Sequence, residues 1–432
     1  MAVFLWRAFK NYTEKNYTRA REIKFIVGEK KYFVDGEERS MDAPALISDE
    51  QLYVPCKYLA EAMGTVWECG QERISLMFPD WGRCVELFVG RPVMVVCGKE
   101  IPIPVAPLVR ENQTYLPAKF VAEAFRYKVD WNLATRTMII STTQSYRMTL
   151  TIRPKSGVEK LWAPVPRDWG DMGMTNVKVI EISPQTDDLY YDHNGNLIAF
   201  WETKQHNSTE YKIVFEADFS PVWYNIDPSK IENYDTSSPD YQKYTKPSPW
   251  IQSDNEAFVK LAHEIVGNER NPLVQARLIH DWVERNINSG PSGTTALEVL
   301  KTRSGDCGGH SWVFIALCRA LGIPARAVAG VQPDYYQGRF ISTKDPGYHV
   351  WTEFYLPGYG WIQCDTATGL GKNTLGIDEP RIVFSRGDEI ALGHTFPADN
   401  IFPYFHLPRG IPSFHPQYQD VFEELSLTVE AK

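Results

Sequence analysis

The sequence contains an internal repeat in its first third. Pro55 and Pro117 are 62 residues apart, and so are Glu61 and Glu123. Each copy has a turn signal at a glycine, a strand that ends at the proline, a short amphipathic helix with an Ala-Glu-Ala triplet, and two closing strands. A repeat of this length predicts a duplicated module, in which one supersecondary unit occurs twice.

Length and composition agree with several folded domains. At about 150 residues per domain, 432 residues predict roughly three domains. A hydrophobic fraction of 43% and a charged fraction of 23% exclude wholesale disorder. The net charge of −9 without any basic run argues against nucleic-acid binding through phosphate contacts. No apolar run approaches the ~18 residues that a bilayer span needs, so we expect no transmembrane segment.

Composition and periodicity divide the chain into six segments. Short alternating strands between turns predict an antiparallel β-sandwich, and a Pro-, Ser- and Tyr-rich stretch predicts a linker. The final segment is rich in Pro and aromatic residues, and no role is assigned to it. The segments are a leader of unknown role at 1–22, the repeats at 23–143, the β-sandwich at 146–226, the linker at 227–250, a catalytic core at 251–385 and the C-terminal segment at 386–432.

Cys307 is the strongest candidate nucleophile. It lies where a loop, Ser304-Gly305-Asp306, turns into an apolar helix. The N-terminus of a helix stabilises a thiolate, and flanking glycines allow a substrate backbone to come close. Of the seven cysteines only Cys307 has this setting; Cys318 is expected in the core, and Cys364 is expected to face away from its neighbour Asp365.

Two strands after this helix provide a base and a group that orients it. His349 opens one strand and Asp365 closes the next, with a turn at Pro357-Gly358-Tyr359-Gly360 between them. An alignment with His349 opposite Asp365 centres the turn near Pro357, and any even register puts both residues on one face. The predicted catalytic residues are therefore Cys307, His349 and Asp365.

Other interpretations of neighbouring residues stay open. His310, three residues after Cys307, is a rival base or a structural residue. A zinc site from Cys307, His310 and Cys318 lacks a fourth ligand, so we expect no metal and no cofactor. Trp351 and Glu353 share the face of His349, where they line an acyl pocket or pack in the core.

This order of helix cysteine, strand histidine and strand aspartate resembles the transglutaminase-like superfamily. The resemblance covers residues 251–375 and includes Gly305-Asp306-Cys307 and the segments around His349 and Asp365. It implies a papain-like core within a multidomain α+β fold that also has an antiparallel β-sandwich. The sequence departs from animal cross-linking transglutaminases, whose motif is Gly-Gln-Cys-Trp, because Asp306 and Gly308 flank the cysteine here.

Residues 23–143 resemble the duplicated N-terminal-like domain of copper amine oxidases, a small α/β module. The name implies no copper, because these residues contain no histidine. The resemblance implies an adhesive or scaffolding role and an extracytoplasmic location. The N-terminus lacks a signal-peptide pattern, so this location requires a leader that is missing from the sequence, and a cytoplasmic location is the alternative.

Together these features predict cysteine-dependent acyl transfer through a thioester. Hydrolysis of peptide or amide bonds at the cell envelope is favoured over protein transamidation, because Asp306 and Gly308 depart from the Gly-Gln-Cys-Trp motif of the cross-linking enzymes. A non-catalytic wall- or protein-binding scaffold is the alternative outside enzymes. The expected partners are a protein or peptide substrate and a cell-wall or surface polymer bound by the repeats, with no nucleic acid.

Overall fold

The computed structural model shows a multidomain α+β protein with two compact units. The repeat unit comprises residues 1–144 and 335–339, and the core unit comprises residues 145–334 and 340–432. Most of the predicted leader lies outside the described residues. The described residues are 20–78, 83–170, 172–224, 226–333, 335–336, 339–340, 342, 347–367, 375–377, 381–394, 401–405, 407–411 and 422–431. None of the helices in these ranges is long and apolar enough to cross a membrane.

Both copies of the repeat have the predicted order of elements. In copy one the strands are Glu22–Ile26, Lys31–Val34, Glu37–Ser40, Leu46–Ser48, Gln51–Pro55, Val66–Cys69 and Arg73–Phe78, and the helix is Cys56–Met63. In copy two the strands are Arg83–Phe88, Arg91–Val96, Lys99–Pro102, Leu108–Arg110, Gln113–Pro117, Lys128–Asn132 and Thr137–Ser141, and the helix is Ala118–Ala124.

The two copies exchange strands and share one core. The opening strand of copy one, Glu22–Ile26, pairs with the closing strand of copy two, Thr137–Ser141. The closing strand of copy one pairs in turn with the opening strand of copy two, and a third sheet joins the copies where Tyr115 lies opposite Pro55. A single hydrophobic cluster contains buried residues of both copies. The repeats therefore fold as one unit.

Two four-stranded antiparallel sheets form the sandwich. Trp201 of the second sheet contacts Tyr211 of the first, edge to face at 5.2 Å. Each sheet includes one strand from the segment that the sequence left without a role. The strands are Gln144–Pro154, Met174–Ser183, Tyr211–Phe219 and Phe422–Ala431 in the first sheet, and Lys160–Val165, Asp188–Tyr191, Leu197–Glu202 and Arg409–Ile411 in the second.

The segment predicted as a linker packs against the core. The Tyr234 hydroxyl donates to the Tyr355 carbonyl at 2.9 Å, and Arg319 donates to the Lys246 carbonyl at 2.8 Å. Ser238 caps the short helix within this segment, because its side chain accepts from the Tyr241 N–H. The core unit has two short 3-10 helices, Thr203–Gln205 and Pro228–Lys230. Its α-helices are Pro239–Tyr244, Glu256–Val266, Pro272–Asn286, Ala296–Thr302 and Cys307–Ala320.

A four-stranded antiparallel sheet packs against the helix Cys307–Ala320. Its strand order is Gly360–Cys364, Tyr348–Leu356, Ala325–Val331 and Ile382–Arg386. The remaining short strands are Val222–Trp223, Asn288–Ser289, Ser304–Gly305, Tyr335–Tyr336, Arg339–Phe340, Gly376–Ile377, Ile390–Ala391 and Ile401–Phe402.

A buried ion cluster joins three strands of this sheet. The Glu353 carboxylate is fully buried and accepts hydrogen bonds from Arg326 and Arg386, the latter at 2.8 Å from Nη2. Burial opposes ionisation of Glu353, but the two guanidinium groups outweigh it and lower the pKa of the carboxyl. Arg326 also stacks 3.7 Å above the Trp361 ring. Glu353 therefore belongs to the core and not to an acyl pocket.

We expect Glu353→Gln to lower the free energy of unfolding by about 3–5 kcal/mol, because two buried guanidinium groups lose their counter-charge. Urea denaturation followed by tryptophan fluorescence measures the loss. The matched control is Glu264→Gln, which removes an exposed partner of Lys260 at 3.9 Å and should cost less than about 1 kcal/mol. Equal losses in the two variants would contradict the role given to the cluster.

Candidate active site

Cys307 is the first residue of its helix, as the sequence predicts. Asp306 caps the helix, because its Oδ1 accepts from the Gly309 N–H at 2.9 Å and from the Ser292 hydroxyl at 2.7 Å. The first N–H groups of a helix lack intrahelical acceptors and favour negative charge nearby. The Cys307 side chain is half-exposed at this end, so a substrate can reach it beside these N–H groups.

The two glycines after Cys307 are required by their neighbours. A Cβ atom at position 308 would lie 2.9 Å from the Tyr404 hydroxyl, and one at position 309 would lie 2.2 Å from the Ser292 hydroxyl. Tyr404 also stacks on Trp312 of the same helix. Tyr404 therefore packs against the position that holds a tryptophan in the Gly-Gln-Cys-Trp motif.

His349 and Asp365 meet on one face of the sheet. The His349 Nε2 donates to Asp365 Oδ2 at 2.7 Å, which leaves Nδ1 as the ring nitrogen available to Cys307. The predicted alignment of His349 opposite Asp365 is wrong by two residues. Thr352 pairs with Cys364, and this register aligns position 349 with position 367 instead of 365. The shift is even, and the two side chains therefore still share a face.

The protonation equilibrium of His349 is set by its two partners. Burial opposes the charged imidazole, but hydrogen bonds with Asp365 and Cys307 outweigh it and raise the pKa of His349 to about 9. The Asp365 pKa is lowered, because Arg381 and His349 outweigh the cost of its burial. The structure thus places the imidazole against an ionised carboxylate, with Cys307 near enough to raise the pKa of His349.

Arg381 is a component of this site that sequence reasoning missed. Its Nη2 lies 2.6 Å from Asp365 Oδ2, the oxygen that also binds His349, and its guanidinium lies 4.9 Å from the Trp351 ring centre. The charge of Arg381 lowers the pKa of His349 and so limits the increase in that pKa that Asp365 causes. Trp351 is buried and bonded to Gln363 at 2.9 Å, so it supports Arg381 from the core.

His310 has a structural position. Its Nδ1 lies 2.9 Å from the Asp306 carbonyl and its Nε2 lies 3.0 Å from the Ile287 carbonyl. Both ring nitrogens are therefore used to join the start of the helix Cys307–Ala320 to the end of the helix Pro272–Asn286. The rival interpretation of His310 as the base finds no support in these contacts.

One group of side chains in the described ranges has a spacing that a metal ion could use. The ligand atoms of His280, Asp281 and Glu284 lie within 4.8 Å of one another. Asp281 also contacts Arg285 at 3.3 Å, and the His280 Nε2 bonds to the Asp365 carbonyl at 3.0 Å. His280 was not singled out by the sequence; it ties its helix to Asp365, which accepts a hydrogen bond from His349.

Comparison with protein families identifies both parts of the chain. Residues 259–366 match the transglutaminase-like superfamily, and residues 10–77 and 33–140 match the copper amine oxidase N-terminal domain. The chain belongs to the transglutaminase-like superfamily and carries a duplicated copper amine oxidase N-terminal domain. Both resemblances stated from the sequence are confirmed.

Individual relatives share parts of the chain. An uncharacterized protein of Haemophilus influenzae is 30% identical over 268 residues, which cover 55% of this chain and 70% of the relative. A protein-glutamine gamma-glutamyltransferase of Pseudomonas aeruginosa is 36% identical over 69 residues, which cover 16% of this chain and only 10% of that protein.

Two solved structures are similar in part. A Cytophaga hutchinsonii protein assigned as a cysteine protease has a TM-score of 0.43 and 18% identity, with coverage of 67% of this chain and 99% of the other. The periplasmic domain of TgpA from Pseudomonas aeruginosa has a TM-score of 0.30 and 16% identity, with coverage of 53% of this chain and 92% of the other.

We expect Cys307 to react first with iodoacetamide when the protein is kept reduced. Burial raises the pKa of both Cys318 and Cys364, the latter to about 12, whereas Cys307 is half-exposed at a helix start. Under these reducing conditions the exposed Cys97 provides an internal reference for a solvent-accessible thiol. Peptide mapping at short times measures the order, and earlier labelling of Cys318 or Cys364 would refute the assignment.

We expect Arg381→Gln to raise the pKa of His349 above about 9, because the variant removes a positive charge that lowers it. Arg381→Lys keeps the charge and should leave the titration close to that of the native protein. NMR titration of ¹⁵N-histidine-labelled protein, with His349 assigned from His349→Gln, measures the effect. An unchanged or lower pKa in Arg381→Gln would show that Arg381 does not act on His349 through its charge.

Proposed function

We propose that the protein is a cysteine-dependent acyl-transfer enzyme that hydrolyses peptide or amide bonds. Cys307 is the nucleophile, His349 carries the proton and Asp365 orients the imidazole. The observation that carries this proposal is the His349 ring, which bonds to Asp365 at 2.7 Å and has its pKa raised by both Asp365 and Cys307. This is the nucleophile, base and orienting group that covalent acyl transfer needs.

The reaction proceeds in two halves. His349 takes the Cys307 thiol proton as the sulfur attacks the carbonyl carbon. The carbon–nitrogen bond then breaks as the resulting imidazolium gives that proton to the leaving amine. The product is a thioester on Cys307. Water then attacks the thioester while His349 takes a proton from the water. The carbon–sulfur bond breaks, which releases the acid and restores Cys307. The Cys307 N–H at the helix start serves as one donor to the oxyanion.

The surroundings of Cys307 support hydrolysis as the second half. Gly308 takes the sequence position at which cross-linking transglutaminases have a tryptophan after the cysteine, and Tyr404 packs against it, so this side of Cys307 is built from different residues. Transamidation is the second candidate. It is favoured by the segment that resembles the Pseudomonas aeruginosa protein-glutamine gamma-glutamyltransferase.

The proposed site of action is the cell envelope, with a protein or peptide substrate. A disulfide joins Cys56 to Cys69 in the repeat unit, and such bonds persist in oxidising compartments. We propose that the repeat unit binds a cell-wall or surface polymer and that the core unit carries out the chemistry. A non-catalytic scaffold with the same residues is the rival class.

Incubation with p-nitrophenyl acetate tests the proposal without knowledge of the natural substrate. We expect release of p-nitrophenol and an acetyl group on Cys307, detected by intact-mass analysis and peptide mapping. In the presence of a primary amine such as glycine methyl ester, we expect acetate to remain the main product. Predominant N-acetyl product would favour transamidation instead.

Cys307→Ala is the matched control, and it should lose acetylation while keeping its circular dichroism spectrum. Cys318→Ala removes a buried thiol of the same helix and should keep acetylation. Absence of acetylation in the native protein would support the scaffold and refute the enzyme.

A further inference from the structure

Two corresponding hairpins of the repeat copies have turns of the same geometry. The hairpin joins Lys31–Val34 to Glu37–Ser40 in copy one and Arg91–Val96 to Lys99–Pro102 in copy two. In copy one the turn residues Asp35 and Gly36 have φ angles of 51° and 86°, and in copy two Cys97 and Gly98 have φ angles of 49° and 85°. A two-residue hairpin turn with positive φ at both positions prefers Asn or Asp before Gly. Asp35 satisfies this preference, whereas turn propensity does not explain Cys97.

The Asp35 side chain fastens the hairpin in copy one. Its Oδ1 accepts from the backbone N–H groups of Arg21 and Glu22, both at 2.8 Å. The Asp35 N–H donates to the Glu22 carbonyl, also at 2.8 Å. The turn is thereby held against the start of the neighbouring strand by one backbone bond and two side-chain bonds.

Copy two keeps the backbone bond and replaces the side chains. Cys84 stands 62 residues after Glu22, and the Cys97 N–H donates to the Cys84 carbonyl at 2.9 Å. Since Val85 pairs with Val96, Cys84 and Cys97 lie directly opposite each other. Directly opposed residues that are joined by backbone hydrogen bonds have Cα atoms about 5.5 Å apart, and this distance is within the range that a disulfide spans.

The two cysteines are also accessible enough to react. Cys97 is near enough to Cys84 to be among the causes that raise its pKa. Cys97 is exposed and Cys84 is half-buried, so an oxidant can reach the pair from solvent. Their separation along the chain equals the 13 residues between Cys56 and Cys69, which are already bonded in the same unit.

We propose that Cys84 and Cys97 are a disulfide-forming pair, which fastens the hairpin of copy two where Asp35 fastens that of copy one. The oxidant is a disulfide donor, either a small-molecule disulfide or a thiol–disulfide oxidoreductase. The Cys97 thiolate attacks the donor, forms a mixed disulfide and releases one donor thiol. Cys84 then attacks the Cys97 sulfur, forms the bond and releases the second donor thiol, so two protein thiols are oxidised and one donor disulfide is reduced.

The order of attack follows from the surroundings of the two thiols. Burial, together with the nearby Cys97, raises the pKa of Cys84, so Cys84 is the poorer first nucleophile. Cys97 is exposed at the turn and therefore meets the donor first.

Treatment of the full chain with oxidised glutathione tests the pair. The protein is first reduced under native conditions, oxidised, quenched with N-ethylmaleimide and digested without reductant. We expect a peptide that joins Cys84 to Cys97 as the main form of both residues, together with loss of their maleimide labelling. The Cys56–Cys69 peptide provides the internal positive control.

Cys97→Asp is the matched variant, because it gives copy two the turn residue of copy one. We expect this variant to lose the linked peptide, to regain maleimide labelling at Cys84 and to keep the Cys56–Cys69 bond. Free thiols at both positions, glutathione adducts that never resolve, or linkage of either residue to Cys56 or Cys69 in the native sequence would each overturn the proposal.

Discussion

The core unit depends on a carboxylate that is buried away from water. Glu353 binds Arg326 and Arg386, which belong to two further strands of the same sheet. A buried charge is tolerated only where counter-charges and hydrogen bonds compensate for lost hydration, so this cluster fixes three strands relative to one another. His349 lies four residues before Glu353 on the same strand and the same face, and its position follows from the same anchoring.

The parts of the site that depend on local sequence could be predicted. Cys307 is marked by the loop-to-helix transition and by Asp306, whose capping bond is made within three residues. His349 and Asp365 share a face because side chains alternate along a strand with period two. This inference tolerates a register error of two, but the exact pairing depends on where the turn closes, and the turn residues alone permit more than one alignment.

The missed parts depend on contacts between distant segments. Arg381 lies 16 residues beyond Asp365 in a stretch without periodicity, and a single arginine there carries no signal of its own. Tyr404 reaches the start of a helix almost a hundred residues earlier in the chain. The strands Arg409–Ile411 and Phe422–Ala431 complete sheets that begin before residue 166. Such pairings are decided by tertiary packing, which local patterns do not describe.

The pairing of C-terminal strands with the first strands of the sandwich has a consequence for synthesis. Phe422–Ala431 pairs with Gln144–Pro154 along nearly its whole length, and Arg409–Ile411 pairs with Lys160–Val165. Domains commonly fold in order as they leave the ribosome, but here both sheets must wait until everything between them has been translated. During that interval the edges of the early strands are open templates for other chains. These edges therefore stay open for longer during synthesis than those of the repeats, which close on themselves by residue 141.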